Sequence, residues 1–362
     1  MANIADGISG TSALERWIFC SCVLLTLAGC VGVSPTHVTV DRMDYGQVVA
    51  ESWKRQTLMN VVRLRYADAP VFLEVNSIIN SYTLGGNASA QATIPSRPPT
   101  PDLYQLGATA SWSNTPTVTY QPVIGDRFTR SLLQPIPPVA VFQLLQGGWP
   151  VNLVFGTVVG SVNELRNATS GIAADPAFSE LIERLSRIQR AGDIGIRIEA
   201  HKDGGGVLAV IRSAKSGTEL SEDSRRVRDL LGLPADASEF EITYGLVPRN
   251  RNEVAMLTRS MMEIMLQLGV GIDLPAADAT SGRVLPGQWQ PGTEKAKPLV
   301  RIRSGTEAPA DAYAAILYKG NWFWIEDTDI ASKRTFTFLL ILFSLAETGQ
   351  MTAAPIVTVP SR

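Results

Sequence analysis

The densest acidic cluster of this sequence is Glu326-Asp327-Thr328-Asp329. Carboxylates this close together can coordinate a hard cation, or they can divide the roles of acid and base between them. The structural alternative is helix capping, because acidic side chains ahead of a helix accept hydrogen bonds from its free N–H groups and favour its dipole. Asp327, Asp329 and Ser332 come just before a long apolar run, so the sequence favours capping. Glu326, Asp327 and Asp329 are nevertheless the candidates for catalysis.

Two tryptophans precede the acidic cluster, in Trp322-Phe323-Trp324. Successive residues of a strand belong to opposite faces of a sheet, so we expect one tryptophan face to pack on the following helix and Phe323 to lie on the opposite side. The alternative is a ligand groove. In that case residues 322–329 would belong to a periplasmic hydrolase or a carbohydrate-binding module.

Histidine-based and phosphate-binding sites find little support in the sequence. The chain has two histidines, His37 and His201, whereas a catalytic triad needs an oriented histidine and a zinc site usually needs several His or Cys ligands. Gly204-Gly205-Gly206 lacks the Lys-Ser/Thr that follows a phosphate-binding loop. We therefore predict a hairpin turn at these glycines, and we expect neither a cofactor nor a metal site.

A cysteine motif near the N-terminus bears on where the protein works. Leu27-Ala28-Gly29-Cys30 closes an apolar run that follows Arg16. This motif resembles the lipobox of bacterial lipoproteins, in which the signal peptide is cut before the cysteine. The resemblance implies that residues 1–29 are removed and that acyl chains on Cys30 hold the protein to a membrane. The alternative, an uncleaved anchor helix over 17–33, falls short of the ~20 residues that span a bilayer.

The residue after the cysteine refines that expectation. In the lipoprotein family an Asp there marks retention in the inner membrane, and this chain has Val31 instead. The resemblance therefore implies attachment to the outer membrane, facing the periplasm. The body of the chain resembles uncharacterised lipoproteins of the Gram-negative envelope, which implies no activity. The sequence departs from the family at its start, because Asp6 and Glu15 weaken the basic character expected there.

Composition excludes some classes of partner. Without residues 1–29 the chain has 31 Lys and Arg against 32 Asp and Glu, so it carries no basic patch of the kind that nucleic acids require. The remaining 333 residues allow two domains. Cys20 and Cys22 would leave with the signal peptide, and Cys30 would be lipidated, so no disulfide is expected.

The most unusual stretch of the sequence has almost no charge. From Val75 to Gly125 the only charged residues are Arg97 and Asp102. Two runs rich in β-branched and aromatic residues, 71–84 and 104–120, predict strands, and the proline-rich segment between them cannot be a helix or an inner strand. The sequence therefore predicts a long hairpin over 71–122.

Two interpretations of the 71–122 hairpin stay open. Each strand exceeds the ~9–11 residues that a tilted strand needs to cross a bilayer, so each subunit could contribute the hairpin to a shared β-structure in the outer membrane. The alternation of apolar and polar residues is poor, however, with Asn76, Asn80 and Ser81 interleaved irregularly. This favours the second interpretation, a soluble surface arm that binds a partner.

The rest of the chain predicts an α+β protein with two small units of similar element order. Helices are predicted over 46–66 and 139–146, and a strand over 151–162. The order α-β-β-α-β is predicted over 175–244, with Ser221 capping its second helix, and it nearly recurs from a helix that begins at about Asn252 and carries Val254, Leu257 and Met261 on one face. The elements predicted after that helix are strands over 299–303, 313–318 and 322–326, a buried apolar helix over 332–347 and a final strand over 356–359. The predicted domain plan is a signal peptide (1–29), a tether (30–44), the helix and hairpin region (45–170) and two α/β units (171–250 and 251–362).

These inferences favour a structural protein over an enzyme. We expect an outer-membrane lipoprotein that assembles with itself or with an envelope complex, with the 71–122 hairpin as the interacting element. The element order of the two small units resembles that of ring-building modules in envelope secretion machines, and this resemblance covers about half of the chain. No nucleic-acid partner is expected.

Overall fold

The computed structural model describes residues 35–93, 103–169, 172–192, 194–198, 207–211, 219–236, 239–284 and 298–346. The chain divides into two compact units between Ser52 and Trp53. The described helices are α1 Pro35–Arg65, α2 Gly125–Phe128 with a π-helical turn Thr129–Leu133, α3 Pro138–Gln146, α4 Val151–Val158, α5 Pro176–Ala191, α6 Glu219–Leu231, α7 Met261–Gly269, α8 Ala276–Thr280 and α9 Ile330–Ala346. The described strands are β1 Leu73–Thr93, β2 Leu103–Pro122, β3 Val159–Val162, β4 Leu165–Arg166, β5 Ile194–Ile198, β6 Val207–Ile211, β7 Glu239–Tyr244, β8 Glu253–Thr258, β9 Arg303–Gly305, β10 Ala314–Tyr318 and β11 Asn321–Ile325. The predicted α+β class is confirmed.

Helix α1 begins earlier than the sequence predicted. Its first residue is Pro35 rather than a residue near 46, so most of the predicted tether is helical. Proline suits the first turn of a helix because its missing N–H would have no partner there and its φ is already helical. The predicted end near residue 66 is confirmed, since the helix stops at Arg65. From Trp53 onward α1 contributes Leu58, Val61 and Val62 to the core.

A six-stranded sheet organises the middle of the chain, in the order β4-β3-β8-β7-β6-β5. Its pairs are antiparallel except for β7 and β8, which are parallel. The order α-β-β-α-β predicted for 175–244 is confirmed by α5, β5, β6, α6 and β7. The predicted domain boundaries at 170 and 250 both fall between strands of this one sheet. The domain plan itself stays a prediction.

Helix α5 has clear local signals at both of its ends and along its buried face. It follows Asp175, begins at Pro176 and ends at Gly192, whose φ of 78° is the left-handed conformation common at helix ends. Three residues of its predicted apolar face, Phe178, Leu181 and Ile188, are buried. Local signals at both ends and a 3.6-residue apolar period agree here, so the prediction was correct.

Two predicted elements are wrong in type. Residues 151–158 form helix α4, not the first part of a strand, and only Val159–Val162 is extended. Residues 253–258 form strand β8, not the start of a helix, and the helix begins at Met261 after its cap Ser260. Both segments are short and most of their residues are buried. A buried apolar run of this length has no periodicity that separates a helix from a central strand.

A smaller error concerns α6. The helix starts at Glu219, so Ser221 lies inside it and is not the predicted cap.

The C-terminal part of the described chain consists of a three-stranded antiparallel sheet, β10-β11-β9, and helix α9. The strands predicted over 313–318 and 322–326 and the helix predicted over 332–347 are confirmed within two residues. The strand predicted over 299–303 is displaced, because β9 covers Arg303–Gly305. As predicted for an all-apolar helix, α9 is a core element, with Phe336, Phe338, Leu339, Leu342 and Phe343 buried. The final strand predicted over 356–359 and the glycine turn at 204–206 lie outside the described residues.

Candidate functional site

The predicted hairpin is the dominant feature of the structure. Strands β1 and β2 pair antiparallel over 20 positions, from Leu73↔Pro122 to Thr93↔Leu103. The hairpin is longer than predicted, because residues 85–93 are also extended. The proline-rich tip predicted between the strands lies outside the described residues. At the usual rise of a strand, 20 residues extend about 66 Å.

Both edges of this hairpin are open within the described part of the chain. The sheet that it forms has two strands only. Most of the hairpin side chains that the structure describes are exposed, including the apolar Ile79 at 61% and Tyr120 at 59%. An isolated two-stranded hairpin is at best marginally stable in water, and a long open edge is a template for pairing with another chain. The hairpin therefore has the geometry of an interaction surface.

A β-bulge gives this hairpin a regular alternation that the sequence analysis did not detect. The register shifts between Val75 and Ser77, so Asn76 is an extra residue. Beyond the bulge, every second pair from Ile78↔Val118 to Ala92↔Tyr104 belongs to one face, and only Asn80 and Asn114 among its sixteen residues are polar. The prediction of poor alternation was wrong, because it treated Asn76 as part of the period.

The other face of the hairpin has a different chemistry. Its pairs run from Ser77↔Thr119 to Thr93↔Leu103, and most of its residues are Ser, Thr, Asn or Gln. The described side chains of this face include the exposed Thr109, Ser111 and Ser113. Neither face has a charged residue between Ser77 and Thr119 within the two strands.

The first residues of the hairpin, 71–74, which we call its root, are fixed to α1 by two side-chain amides. Gln56 Nε2 donates to the Leu73 carbonyl oxygen at 3.0 Å, and Gln56 Oε1 accepts from the Leu73 N–H at 2.8 Å. Asn60 forms the same pair of bonds with Val71, at 2.8 and 2.9 Å. Gln56 and Asn60 are four residues apart on α1 and therefore lie on one face of the helix. Their amides form with Val71 and Leu73 the hydrogen bonds that a neighbouring strand would form.

The core holds the same root from its other side. The Val123 N–H donates to the Phe72 carbonyl oxygen at 3.0 Å, which closes the base of the hairpin. The Phe72 ring lies 5.9 Å from that of Phe343 in α9. Arg127 also forms an ion pair with Glu74. A rigid root therefore carries a long, exposed hairpin.

The carboxylates of the acidic cluster at 326–329 bind three different partners. Asp329 accepts hydrogen bonds from the Ser332 N–H at 3.1 Å and from the Ser332 hydroxyl at 2.7 Å, so it caps α9 as the sequence favoured. Glu326 pairs with Arg303 at 2.8 Å, and Asp327 pairs with Lys333 at 2.6 Å. Within the described ranges, no group of three metal-ligating residues comes together.

The tryptophans face away from the core, which reverses the expectation. Phe323 is fully buried and its ring lies 6.1 Å from that of Tyr66, whereas Trp322 and Trp324 are only half-buried. The predicted alternation is correct, but the side is wrong because the hairpin of β10 and β11 turns Phe323 and Ile325 inward. Trp324 covers Gly305, where a Cβ would approach its ring to 3.2 Å.

A partly buried cluster of ionisable residues was not predicted from the sequence. The Tyr66 hydroxyl donates to Asp278 Oδ2 at 2.7 Å, and Asp278, which is 3% exposed, also pairs with Arg283 at 3.2 Å. Burial and then this hydrogen bond raise the pKa of Tyr66. The phenol is therefore neutral at physiological pH and acts as a donor, not as a base.

A second tyrosine completes this cluster. The Tyr318 hydroxyl donates to Asp68, which pairs with Lys319 at 2.8 Å, and Lys319 lies 5.2 Å from the centre of the Tyr66 ring. Hydrogen bonding to Lys319 and then to Tyr318 lowers the pKa of Asp68. Lys319, at φ 48°, and Gly320 form the two-residue turn of the β10–β11 hairpin. Each carboxylate of the cluster pairs with one phenol and one cation, so the arrangement joins the residues just after α1, helix α8 and this turn.

The remaining predicted residues lie apart from these features. Cys30 and His201 are outside the described residues, so lipidation of Cys30 stays a prediction. His37 belongs to the first turns of α1. Among the helices that the structure describes, none has both the length and the hydropathy to cross a membrane.

Comparison of the chain with protein-family models, with curated proteins and with solved structures finds no match.

Proposed function

We propose that this protein is an outer-membrane lipoprotein, anchored through Cys30 and facing the periplasm, whose role is structural. Copies of the chain assemble with one another through the edges of the 71–122 hairpin, alone or within a larger envelope complex. The observation that carries this proposal is the hairpin itself, which has 20 registered pairs and, within the described residues, an open edge on each strand.

The two open edges favour repeated self-assembly over a single contact. The outer edge of β1 in one copy can pair with the outer edge of β2 in the next, and main-chain hydrogen bonds then supply the affinity. Such a contact joins different surfaces of each copy, so it repeats and yields a closed ring when the rotation between copies closes. The rigid root at Gln56 and Asn60 supports this proposal, because it lowers the entropy lost when the hairpin is ordered in an assembly.

The anchor would assist the same process. Acyl chains on Cys30 confine the copies to one membrane surface, which raises their effective concentration for a weak edge contact. The lipobox resemblance of Leu27-Ala28-Gly29-Cys30 supports this part of the proposal.

The test is the molar mass of the detergent-extracted protein, measured by size exclusion with light scattering. The informative variant replaces residues 75–120 with Asn-Gly. Glu74 and Gln121 are register partners, so a two-residue turn can join them and leave the root contacts in place. We expect an oligomer for the wild type and a monomer with an unchanged unfolding temperature for the variant.

Other results would count against the proposal. A monomeric wild type would exclude assembly in detergent, and an oligomeric variant would locate the contact elsewhere. A matched control shortens the hairpin by a whole number of register pairs, for example by removing 87–93 and 103–109, and keeps the remaining edges. Its oligomer should be weaker than that of the wild type and stronger than that of the Asn-Gly variant.

A further inference from the structure

The two faces of the 71–122 hairpin differ so strongly that they indicate two different environments. Fourteen of the sixteen residues on the face from Ile78↔Val118 to Ala92↔Tyr104 are apolar or glycine. The opposite face consists mainly of hydroxyl and amide residues. A hairpin with water on both sides gains nothing from placing apolar and polar residues on opposite faces. A sheet between water and an apolar phase requires that arrangement.

The dimensions of the apolar face match a bilayer. The fifteen positions from Ile78 to Ala92 extend about 46 Å, which exceeds the ~30 Å of a hydrocarbon core even when the strand is tilted. Tyr104 and Trp112 hold register positions eight residues apart, which is about 26 Å. Between them this face has Leu106, Ala108 and Ala110. Aromatic residues that border an apolar band of ~25 Å are typical of membrane-spanning strands.

The distribution of charge agrees with this match. The charged residues nearest to the band are Arg97 and Asp102, in the segment that connects the two strands, and Glu74 with Arg127 at the root. Charges therefore occur beyond both ends of the band and are absent from its described length.

We propose that the apolar face of the hairpin contacts the hydrocarbon of a lipid bilayer, and that the Ser/Thr face is turned toward water. This inference rests on the proposed function, because an open strand edge cannot enter hydrocarbon with unsatisfied N–H and C=O groups. Pairing of the edges between copies satisfies those groups. Assembly and insertion are therefore coupled, and a single copy leaves its hairpin in water.

The test uses single cysteines at four consecutive positions of β2. Ala108 and Ala110 belong to the apolar face, and Thr109 and Ser111 belong to the polar face, so each pair is the matched control of the other. The lipidated protein, which has lost Cys20 and Cys22 with the signal peptide and whose Cys30 is acylated, is labelled at the introduced cysteine with an environment-sensitive fluorophore. It is then reconstituted into phosphatidylethanolamine and phosphatidylglycerol vesicles.

We expect quenching to alternate along the strand. A quencher attached to lipid acyl chains should reduce the emission of Ala108→Cys and Ala110→Cys several-fold more than that of Thr109→Cys and Ser111→Cys. Aqueous iodide should give the opposite order.

Two results would overturn the inference, and they are distinguishable. If light scattering gives an oligomer but the lipid quencher affects none of the four positions, the hairpin assembles outside the bilayer and the proposed function stands without insertion. If the labelled protein is monomeric, the proposed function fails together with the inference. The Asn-Gly variant, which keeps the anchor and lacks the hairpin, reports whether the vesicles bind the rest of the chain in the same way.

Discussion

The side-chain amide of Asn60 forms both hydrogen bonds of a strand neighbour with the backbone of Val71. Its nitrogen donates to the Val71 carbonyl oxygen at 2.8 Å, and its oxygen accepts from the Val71 N–H at 2.9 Å. Asn60 is 1% exposed, so its amide lies in the core, whereas Val71 is partly exposed. This contact, repeated at Gln56 and Leu73, connects the helical core to the hairpin that we propose as the site of assembly.

The first prediction concerns this root. Asn60→Leu keeps the volume of the side chain but leaves the Val71 N–H and carbonyl groups without a partner. An unsatisfied polar group costs about 1–3 kcal/mol when it is fully buried. Because the Val71 groups are only partly buried, we expect the free energy of unfolding to fall by about 1 kcal/mol. Chemical denaturation measures the change. Gln56→Leu, at a more exposed position, should cost less, and equal losses for the two variants would contradict the role of burial.

A second prediction concerns Arg259, which is 2% exposed and donates to the carbonyl oxygens of Gly156, Thr157 and Ala168. Burial lowers the pKa of Arg259 to about 10, so the guanidinium is still charged at neutral pH. It lies at the end of α4, where a cation complements the helix dipole. Arg259→Met should therefore destabilise the protein by at least about 2 kcal/mol, from the loss of three buried bonds.

The control for this variant is Arg251→Met, at an exposed position of a turn. It should leave the denaturation midpoint within experimental error. An Arg259→Met protein as stable as the control would show that the buried guanidinium contributes nothing to the junction of α4 and β3.

A third prediction concerns acid. Hydrogen bonds from Arg226 and then Arg184 lower the pKa of Glu180 to about 2, and a hydrogen bond from Arg187 lowers the pKa of Asp223. Groups whose pKa is lower in the folded state stabilise it above their unfolded pKa, and this stabilisation is lost as the pH falls through the folded pKa. The contact between α5 and α6 should therefore weaken between about pH 4.5 and pH 2.

Thermal unfolding measured between pH 7 and pH 2 checks this expectation. Asp223→Asn should lower the unfolding temperature at pH 7 and flatten its dependence on pH in the acid range, because one of the titrating carboxylates is gone. An unchanged slope would mean that other carboxylates dominate acid denaturation.

A fourth prediction separates the structural role from the alternative of a periplasmic hydrolase or a carbohydrate-binding module. Glu326→Gln with Asp327→Asn removes the ion pairs to Arg303 and Lys333, which are partly exposed and worth about 0–1 kcal/mol each. We expect nearly unchanged stability and an unchanged oligomer mass. Glycan binding or hydrolysis by the wild type that the double variant has lost would favour the alternative instead.

The sequence predictions were correct where the residues that determine an element lie close together in the chain. Helix α5 has Pro176 at its start, Gly192 at its end and an apolar face between them, and each signal acts within a few residues. Strands β10 and β11 were likewise predicted from the sequence within one residue of their observed bounds. Residues 151–158 and 253–258 were assigned to the wrong class, because most residues there are buried and a short apolar run does not distinguish a helix from a strand.

The amino-acid sequence by itself determined the α+β class, the existence of a long uncharged hairpin and the capping of α9 by Asp329, since each depends on neighbours along the chain. Only the tertiary structure decided which residues meet across long separations. Tyr66 and Asp278 are 212 residues apart, and β7 and β8 pair in parallel although the sequence assigned them to different units. The bulge at Asn76 was likewise decided by the tertiary structure, because it depends on how β1 pairs with β2. Such relations arise from packing and pairing between distant segments, which no local pattern of residue types encodes.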